Sequence, residues 1–219
     1  HDAVFKAAFE SLVNAAQMFR DHLPEAITGA IDWTSMAAEP GSFIDRVLTD
    51  HHTDLLFSVR VGNGDDRGLL HLLLEHQSTN DPDMPLRVLA YQVRIWKRFR
   101  VNHPRTPLPL VVTLVVSHAV GGWTAPRTFD ELFHPRPTSI PGLAELVPRF
   151  SLIIEELSEA SNEQLKARSL AAFPKLVLWL LRDARDPDKL MANLCHWADA
   201  LGEVATAAHG SEAFEQLVR

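Results

Sequence analysis

The feature that most constrains this chain is the run Leu69-Leu70-His71-Leu72-Leu73-Leu74-Glu75-His76-Gln77. It is nearly all apolar, and it is far shorter than the ~18–20 residues of a membrane helix. A turn cluster, Gly62-Asn63-Gly64-Asp65-Asp66, stands before it, and the loop Ser78-Thr79-Asn80-Asp81-Pro82-Asp83 follows. Such a run reads as a strand covered on both faces. A sheet built around it needs a layer on each side, and helices before and after the run can supply them.

The neighbouring segments fit that frame. Residues 2–21 carry Phe5, Phe9, Leu12, Val13, Ala16 and Phe19 at helical spacing and read as one helix. Pro24 starts a short second helix through Ile31, and Pro40-Gly41 is a break. Ser42 to Leu48 and Thr53 to Val61 read as strands that form an antiparallel hairpin or meander with the apolar run. Asp83 and Pro85 open a helix to about Val101. Leu110 to Val116 is a buried strand, Phe129 to Leu132 a short helix, and Phe150 to Glu155 a last strand. The remainder is helical. Ser161-Asn162-Glu163-Gln164 has capping-box spacing, Pro174 kinks or restarts a helix, and Asp186-Pro187 begins another that Gly210 ends. The expected class is α/β with a small mixed sheet.

With 219 residues, 46% apolar and 22% charged, the chain suits one globular domain with a helical appendage. Cys195 is the single cysteine, so no intrachain disulfide forms. That fits a reducing, cytoplasmic setting, as does the lack of a secretory signal after His1. No membrane partner is expected. The net charge of −7 argues against a strongly nucleic-acid-binding protein. Met84 to Pro107 is the local exception, with six basic residues and no acid.

Asp54 opens one strand, while Glu75 and Gln77 close the next and share a face, being two residues apart. A carboxylate in an apolar strand needs a partner, because burying it alone is expensive. A divalent cation such as Mg²⁺, which favours carboxylate oxygens, is one partner. The other reading is that Asp54 caps its strand and Glu75 pairs with an arginine such as Arg87. His71 shares the face of Glu75 and Gln77, whereas His76 points to the opposite one. The 11 histidines, with His51-His52 and His118 among them, also make a zinc hydrolase conceivable, although no His-Glu-x-x-His word is present.

Several words of the sequence fall together: His1-Asp2-Ala3-Val4-Phe5-Lys6, Asp54-Leu55-Leu56-Phe57, Leu74-Glu75-His76-Gln77-Ser78, Met84-Pro85-Leu86-Arg87-Val88-Leu89-Ala90-Tyr91, Ile95-Trp96 and Trp123-Thr124-Ala125-Pro126-Arg127. In this order of helix, strands, helix and strand, residues 1–160 resemble the PD-(D/E)XK nuclease superfamily. Within it they are most similar to the recombination-promoting nuclease group, the YhgA-like transposases. The resemblance implies a restriction-endonuclease-like core over residues 1–160, with residues 161–219 a helical extension packed on the core or in a homodimer. It implies Mg²⁺-dependent cleavage of DNA, with Mn²⁺ able to substitute. It makes Asp54 and Glu75 the motif acids and puts Gln77 in the lysine position of Glu-x-Lys. It also makes the backbone carbonyl of His76 a further metal ligand. Gln77 can orient water or phosphate but cannot carry a lysine's charge, which puts high activity in doubt. Ser117-His118-Ala119 stands where the family often shows Tyr-His-Gly or Tyr-Asn-Gly, so any role of that tyrosine is lost. A weak or inactive member acting by binding is therefore the alternative.

On the helix from Met84, Arg87, Tyr91, Arg94 and Arg98 share one face. With Lys97 they are candidates for DNA phosphate contacts, the competing reading being a solvated face. Asp2 is a secondary candidate, assisting the metal from the first helix or capping it. His71 is another. Leu176, Leu180, Leu190, Leu194, Trp197 and Leu201 form apolar stripes for the core or for a second copy of the chain.

Overall fold

The computed structural model describes residues 2–39, 55–62, 68–207, 213 and 217. Its elements are helices α1 (Asp2–Phe9), α2 (Leu12–His22) and α3 (Glu25–Ala30), strands β1 (Ile31–Ala38), β2 (Leu55–Val61) and β3 (Gly68–Gln77), helix α4 (Met84–Asn102), strands β4 (Leu110–Ser117) and β5 (Ile153–Glu156), and helices α5 (Asn162–Lys166), α6 (Ala172–Asp183), α7 (Pro187–Asn193) and α8 (Ala198–Thr206). The five strands lie in chain order. β1, β2 and β3 pair antiparallel, as a meander does, while β3, β4 and β5 run parallel. The sheet is therefore mixed, and α4 is the crossover that lets β4 run parallel to β3.

β3 sorts its side chains by alternation. Leu70, Leu72 and Leu74 enter a core with Phe5, Phe9, Phe19, Leu176 and Val177, which is the face of α1, α2 and α6. Leu73 enters a smaller cluster with Leu56, Tyr91 and Ile95, beneath α4. A third cluster joins Met84 and Val88 of α4 to Val115. Leu72, Leu73 and Leu74 have no exposed surface. This double coverage is why every residue from Leu70 to Gln77 is buried.

The helices after β5 belong to the same core. α6 packs on α1, and Trp179 stacks on Trp197 with ring centroids 5.3 Å apart. Of the apolar stripes, Leu176 and Trp197 are buried, and Leu180, Leu190 and Leu201 pack against the core; Leu194 remains exposed. Ser161 and Gln164 form the capping box of α5, and Asp186 caps α7 through the Lys189 amide. Pro174 is the third residue of α6, so it starts a helix rather than kinks one. Among the described residues no helix is long and apolar enough to cross a membrane.

Three expectations change. The helix over residues 2–21 is two helices, broken at Glu10-Ser11, where Ser11 is extended (φ −64°, ψ 120°) and Asn14 Nδ2 donates to the Ala8 carbonyl at 2.8 Å. Both halves present apolar residues to the same core, so periodicity cannot register the break. Ile31–Ala38 is a strand that lacks clean alternation; Trp33, partly buried, lies under the Arg20 guanidinium at 4.8 Å. The last strand starts at Ile153, and Ser151 makes only an isolated bridge to Thr128. The proposed strand Ser42–Leu48 and the stop at Gly210 lie outside the described residues.

Asp183, with no exposed side-chain surface, ties the helical layer together. It accepts from Arg182 Nε and Nη2 (both 2.7 Å), Trp179 Nε1 (2.9 Å) and Asn193 Nδ2 (2.9 Å), and pairs with Lys189 Nζ at 3.0 Å. Burial alone would raise its pKa; the donors, Arg182 foremost, outweigh it and hold the carboxyl below its usual range. Asp183→Ala leaves the buried Arg182 without its counter-charge. The expected cost is about 3–5 kcal/mol in urea denaturation, with Asp183→Asn milder.

Candidate active site

Glu75 has no exposed surface and shares the α4 face of β3 with Gln77. Gln77 Nε2 donates to Glu75 Oε1 at 2.7 Å. Arg87 Nη2 donates to the same oxygen at 2.6 Å, and Arg87 Nη1 donates to Asp81 Oδ2 at 2.8 Å. Helix geometry explains the reach, since a side chain one turn into α4 tilts back toward the helix N-terminus and the end of β3. Asp81 is itself fixed in the loop. Its Oδ1 accepts from the Asp83 amide (2.9 Å) and its carbonyl from the Met84 amide (3.2 Å). Asp83 occupies the N-cap position of α4 without a side-chain cap bond. The ion-pair reading of Glu75 is thus realised, with Arg87 as the partner.

The basic stripe of α4 is not a uniform solvent face. Arg87 is 13% exposed, Tyr91 is buried against Leu56, Leu73 and Ile95, and Arg94 and Arg98 are half-buried. Lys97 is exposed. Two buried donors, Arg87 Nε and Arg94 Nη1, have no acceptor among the described residues.

His71 is buried on the Glu75 face but stands four residues up the strand, about 13 Å away at ~3.3 Å per residue. Burial holds its imidazole below the ordinary pKa. His76 occupies the other face, stacked between Phe5 (4.7 Å) and His118 (4.8 Å). Asp2 Oδ1 lies 3.3 Å from His76 Nδ1, so the Asp2 carboxylate is on the His76 side of the sheet. Asp54, His51 and His52 lie outside the described residues. Leu55, the residue after Asp54, pairs with Leu74, the residue before Glu75. Among the described residues no three His, Cys, Asp or Glu side chains converge to hold a metal ion. Glu75 is a hard oxygen donor of the kind a magnesium-like cation takes, and in this structure it binds the Arg87 guanidinium.

Sequence reasoning missed the residues that brace this site. Asn80 Nδ2 donates to the Gly122 carbonyl (2.8 Å), and its Oδ1 accepts from the Thr124 (2.8 Å) and Ala125 (3.4 Å) amides. Glu156 Oε1 accepts from the Trp123 amide at 2.5 Å, and Oε2 from Arg127 Nη2 at 3.3 Å. Glu156 continues the row Gln77–Ser117 across the sheet. Gly122 has φ 85°, and a Cβ there would collide with Glu156 Oε1. The Trp123–Arg127 word is thereby locked to the loop after β3. On the opposite face Glu155 binds His22 and Arg168, at a cleft of about 690 Å³ between α2 and the α5–α6 connection. Those hydrogen bonds overcome the upward push of burial and hold Glu155 below its usual pKa. Glu155-Glu156, an acidic pair ending a β-branched strand, was the available signal.

A mixed sheet flanked by helices, closed by a buried carboxylate on its central strand, is the architecture of an α/β protein with a nuclease-like core. The family model described as "Putative transposase, YhgA-like" matches residues 1–211, and the chain belongs to that family. Among its relatives it is similar to the recombination-promoting nuclease RpnD of Escherichia coli O157:H7, at 34% identity over 118 residues (54% of this chain, 45% of the relative). It is similar to the recombination-promoting nuclease RpnC of Escherichia coli K12, at 32% over 137 residues (62% of this chain, 45% of the relative). It also matches the inactive recombination-promoting nuclease-like protein RpnE of the same strain, at 27% over 188 residues (84% of this chain, 59% of the relative). The chain spans about half the length of these relatives. No solved structure matches it.

His118, on the His76 face of the sheet, makes a pH prediction. Burial first, then the neighbouring His76 and Arg185, push its pKa down from 6.5 to about 3. The unfolded chain therefore takes up a proton that the folded chain refuses between those values. Stability is complete above pH 6.5 and falls as the pH drops toward 3, by up to about 1.4 kcal/mol per unit from this group. The difference between wild type and His118→Gln in urea midpoint against pH is expected to show that slope and to level off above pH 6.5.

Proposed function

We propose that this chain is a metal-dependent DNA endonuclease of the PD-(D/E)XK type acting in recombination, with Mg²⁺ as cofactor and Mn²⁺ as a substitute. The observation that carries the reading is Glu75, a carboxylate buried at the end of the central strand within hydrogen-bond distance of both an amide and a guanidinium. The names of the relatives support nuclease chemistry. Asp54, Glu75 and the His76 carbonyl would hold the cation. When bound, the cation polarises a phosphoryl oxygen and lowers the pKa of a water. Gln77, through its amide, orients that water or the phosphate. Arg87, Arg94, Lys97 and Arg98 place DNA phosphates along α4, a contact that positions the backbone without reading bases.

A second reading has its own support. Gln77 is neutral, Arg87 already compensates Glu75, and RpnE among the relatives is an inactive nuclease-like protein by name. That reading is DNA binding without turnover.

Nicking of supercoiled plasmid with Mg²⁺, Mn²⁺ or no added metal separates the two. Cutting is expected only with metal, and Asp54→Ala and Glu75→Ala are each expected to lose about a hundredfold or more of it. Wild-type rates in both variants would reject the assignment, and a shifted DNA band without cutting would establish the second reading.

A further inference from the structure

We propose that Arg87 is a catalytic residue that supplies the positive charge absent at Gln77, by passing from Glu75 to a phosphodiester oxygen while Asp81 keeps hold of its other nitrogen. This rests on the endonuclease reading above.

Four observations converge. The same oxygen, Glu75 Oε1, takes the Gln77 amide at 2.7 Å and the Arg87 guanidinium at 2.6 Å. A charge delivered from α4 therefore arrives within hydrogen-bond range of the point that residue 77 addresses. Gln77 can donate there but cannot carry charge, whereas a guanidinium is charged at every working pH. Arg87 is only 13% exposed, so its field is weakly screened. Its Nε is buried and has no acceptor among the described residues, leaving donor capacity for a ligand oxygen.

The exchange has a mechanical basis. A hard cation drawn to the Glu75 carboxylate repels the guanidinium already on Oε1, so binding of one weakens the hold of the other. Arg87 does not leave the site on release, because Nη1 remains on Asp81 at 2.8 Å. Asp81 is held by the Asp83 and Met84 amides, and its loop is stitched to residues 122–125 by Asn80. Rotation about the outer torsions of Arg87 then turns Nη2 from Glu75 toward a phosphate, with Nε as a second donor. In hydrolysis the water oxygen forms the new bond to phosphorus as the bond to the leaving oxygen breaks. The water's proton passes to solvent and the leaving oxygen is protonated in turn. Arg87 neither gives nor takes a proton; it balances the negative charge that grows on the phosphoryl oxygens. Asp81 is a positioning residue, acting through Arg87.

The test compares wild type, Arg87→Gln, Asp81→Asn and the double variant Gln77→Lys/Arg87→Gln. Each is measured for Mn²⁺ affinity by electron paramagnetic resonance, for DNA affinity without metal, and for single-turnover cutting at saturating DNA. Arg87→Gln is expected to bind Mn²⁺ about tenfold more tightly, since the competing cation is gone. It should cut about a hundredfold more slowly at saturating DNA, where any loss of DNA affinity no longer limits the rate. The double variant should regain about tenfold of the lost rate, because residue 77 now carries the charge. Asp81→Asn, the milder change, should cut about tenfold more slowly, which keeps the test decisive if Arg87→Gln does not fold. Unchanged cutting in Asp81→Asn, no recovery in the double variant, or recovery of Arg87→Gln simply by raising the DNA concentration would each overturn the proposal. Mn²⁺ binding no tighter in Arg87→Gln overturns the exchange whether or not the wild type cuts. A wild type that never cuts, with Mn²⁺ binding tightened in Arg87→Gln, overturns the endonuclease reading and the catalytic role together and leaves only the cation exchange.

Discussion

A carboxylate without any exposed surface sits in the middle strand of this sheet, and the rest of the site answers to it. Glu75 stripped of partners would cost several kcal/mol in that position, more than a marginally stable domain can spare. Among the described residues two donors reach it: Gln77 from the same strand and Arg87 from the next helix, with Asp81 in the loop between accepting from Arg87 and steadying it. Because the two donors sit on different elements, the charge balance of one residue fixes how α4 sits over β3. A buried ion pair is seldom the most stable filling for such a space, since well-packed apolar side chains often do as well or better. Its presence on a central strand covered from both sides is what makes this end of the sheet chemically distinctive.

The two faces of the sheet divide the work. The face of α1, α2 and α6 holds the large continuous core, including Phe5, Phe9, Phe19, Trp179 and Trp197. The face of α4 is thinner, with Met84, Val88, Leu73, Tyr91 and Ile95 in small clusters and the polar residues gathered at the strand ends. Rigidity on one side supports polar chemistry on the other. The same alternation that sends His76 to the aromatic stack with Phe5 and His118 sends Glu75 and Gln77 under α4. A one-residue slip in β3 would exchange these sets and destroy both.

The Asn80 and Glu156 braces carry the arrangement outward. Asn80 uses both ends of its amide on the 122–125 backbone, and Glu156 holds the Trp123 amide and Arg127. The loop that presents Asp81 is therefore anchored at a distant segment of the chain. The site is an assembly of loops at the carboxyl ends of parallel strands, the usual location for ligand chemistry in such sheets.

Much of this was legible in residue order. The apolar run with its terminal Glu75 and Gln77 defined a doubly covered strand, and period 2 put both polar groups on one face. The capping box at Ser161 and the Asp186-Pro187 start came through as read, because they are local hydrogen-bond chemistry within a few residues. The break at Ser11 and the strand Ile31–Ala38 were not legible. The first hides because both helices serve one apolar face, the second because its partner strand, rather than its own pattern, makes it a strand. The burial of Tyr91 and the half-burial of Arg94 and Arg98 were likewise invisible, since helical spacing gives a shared face but not what lies against it. By itself, then, the sequence determined the period of each element, the side of the sheet to which Glu75, Gln77 and His76 turn, and the family. Only the tertiary structure decided that Arg87 grips Glu75 with Asp81 behind it, that Asp2 joins His76 on the far side, and that Asn80 and Glu156 brace the loops. Those outcomes depend on distances between separate elements, which no local pattern encodes.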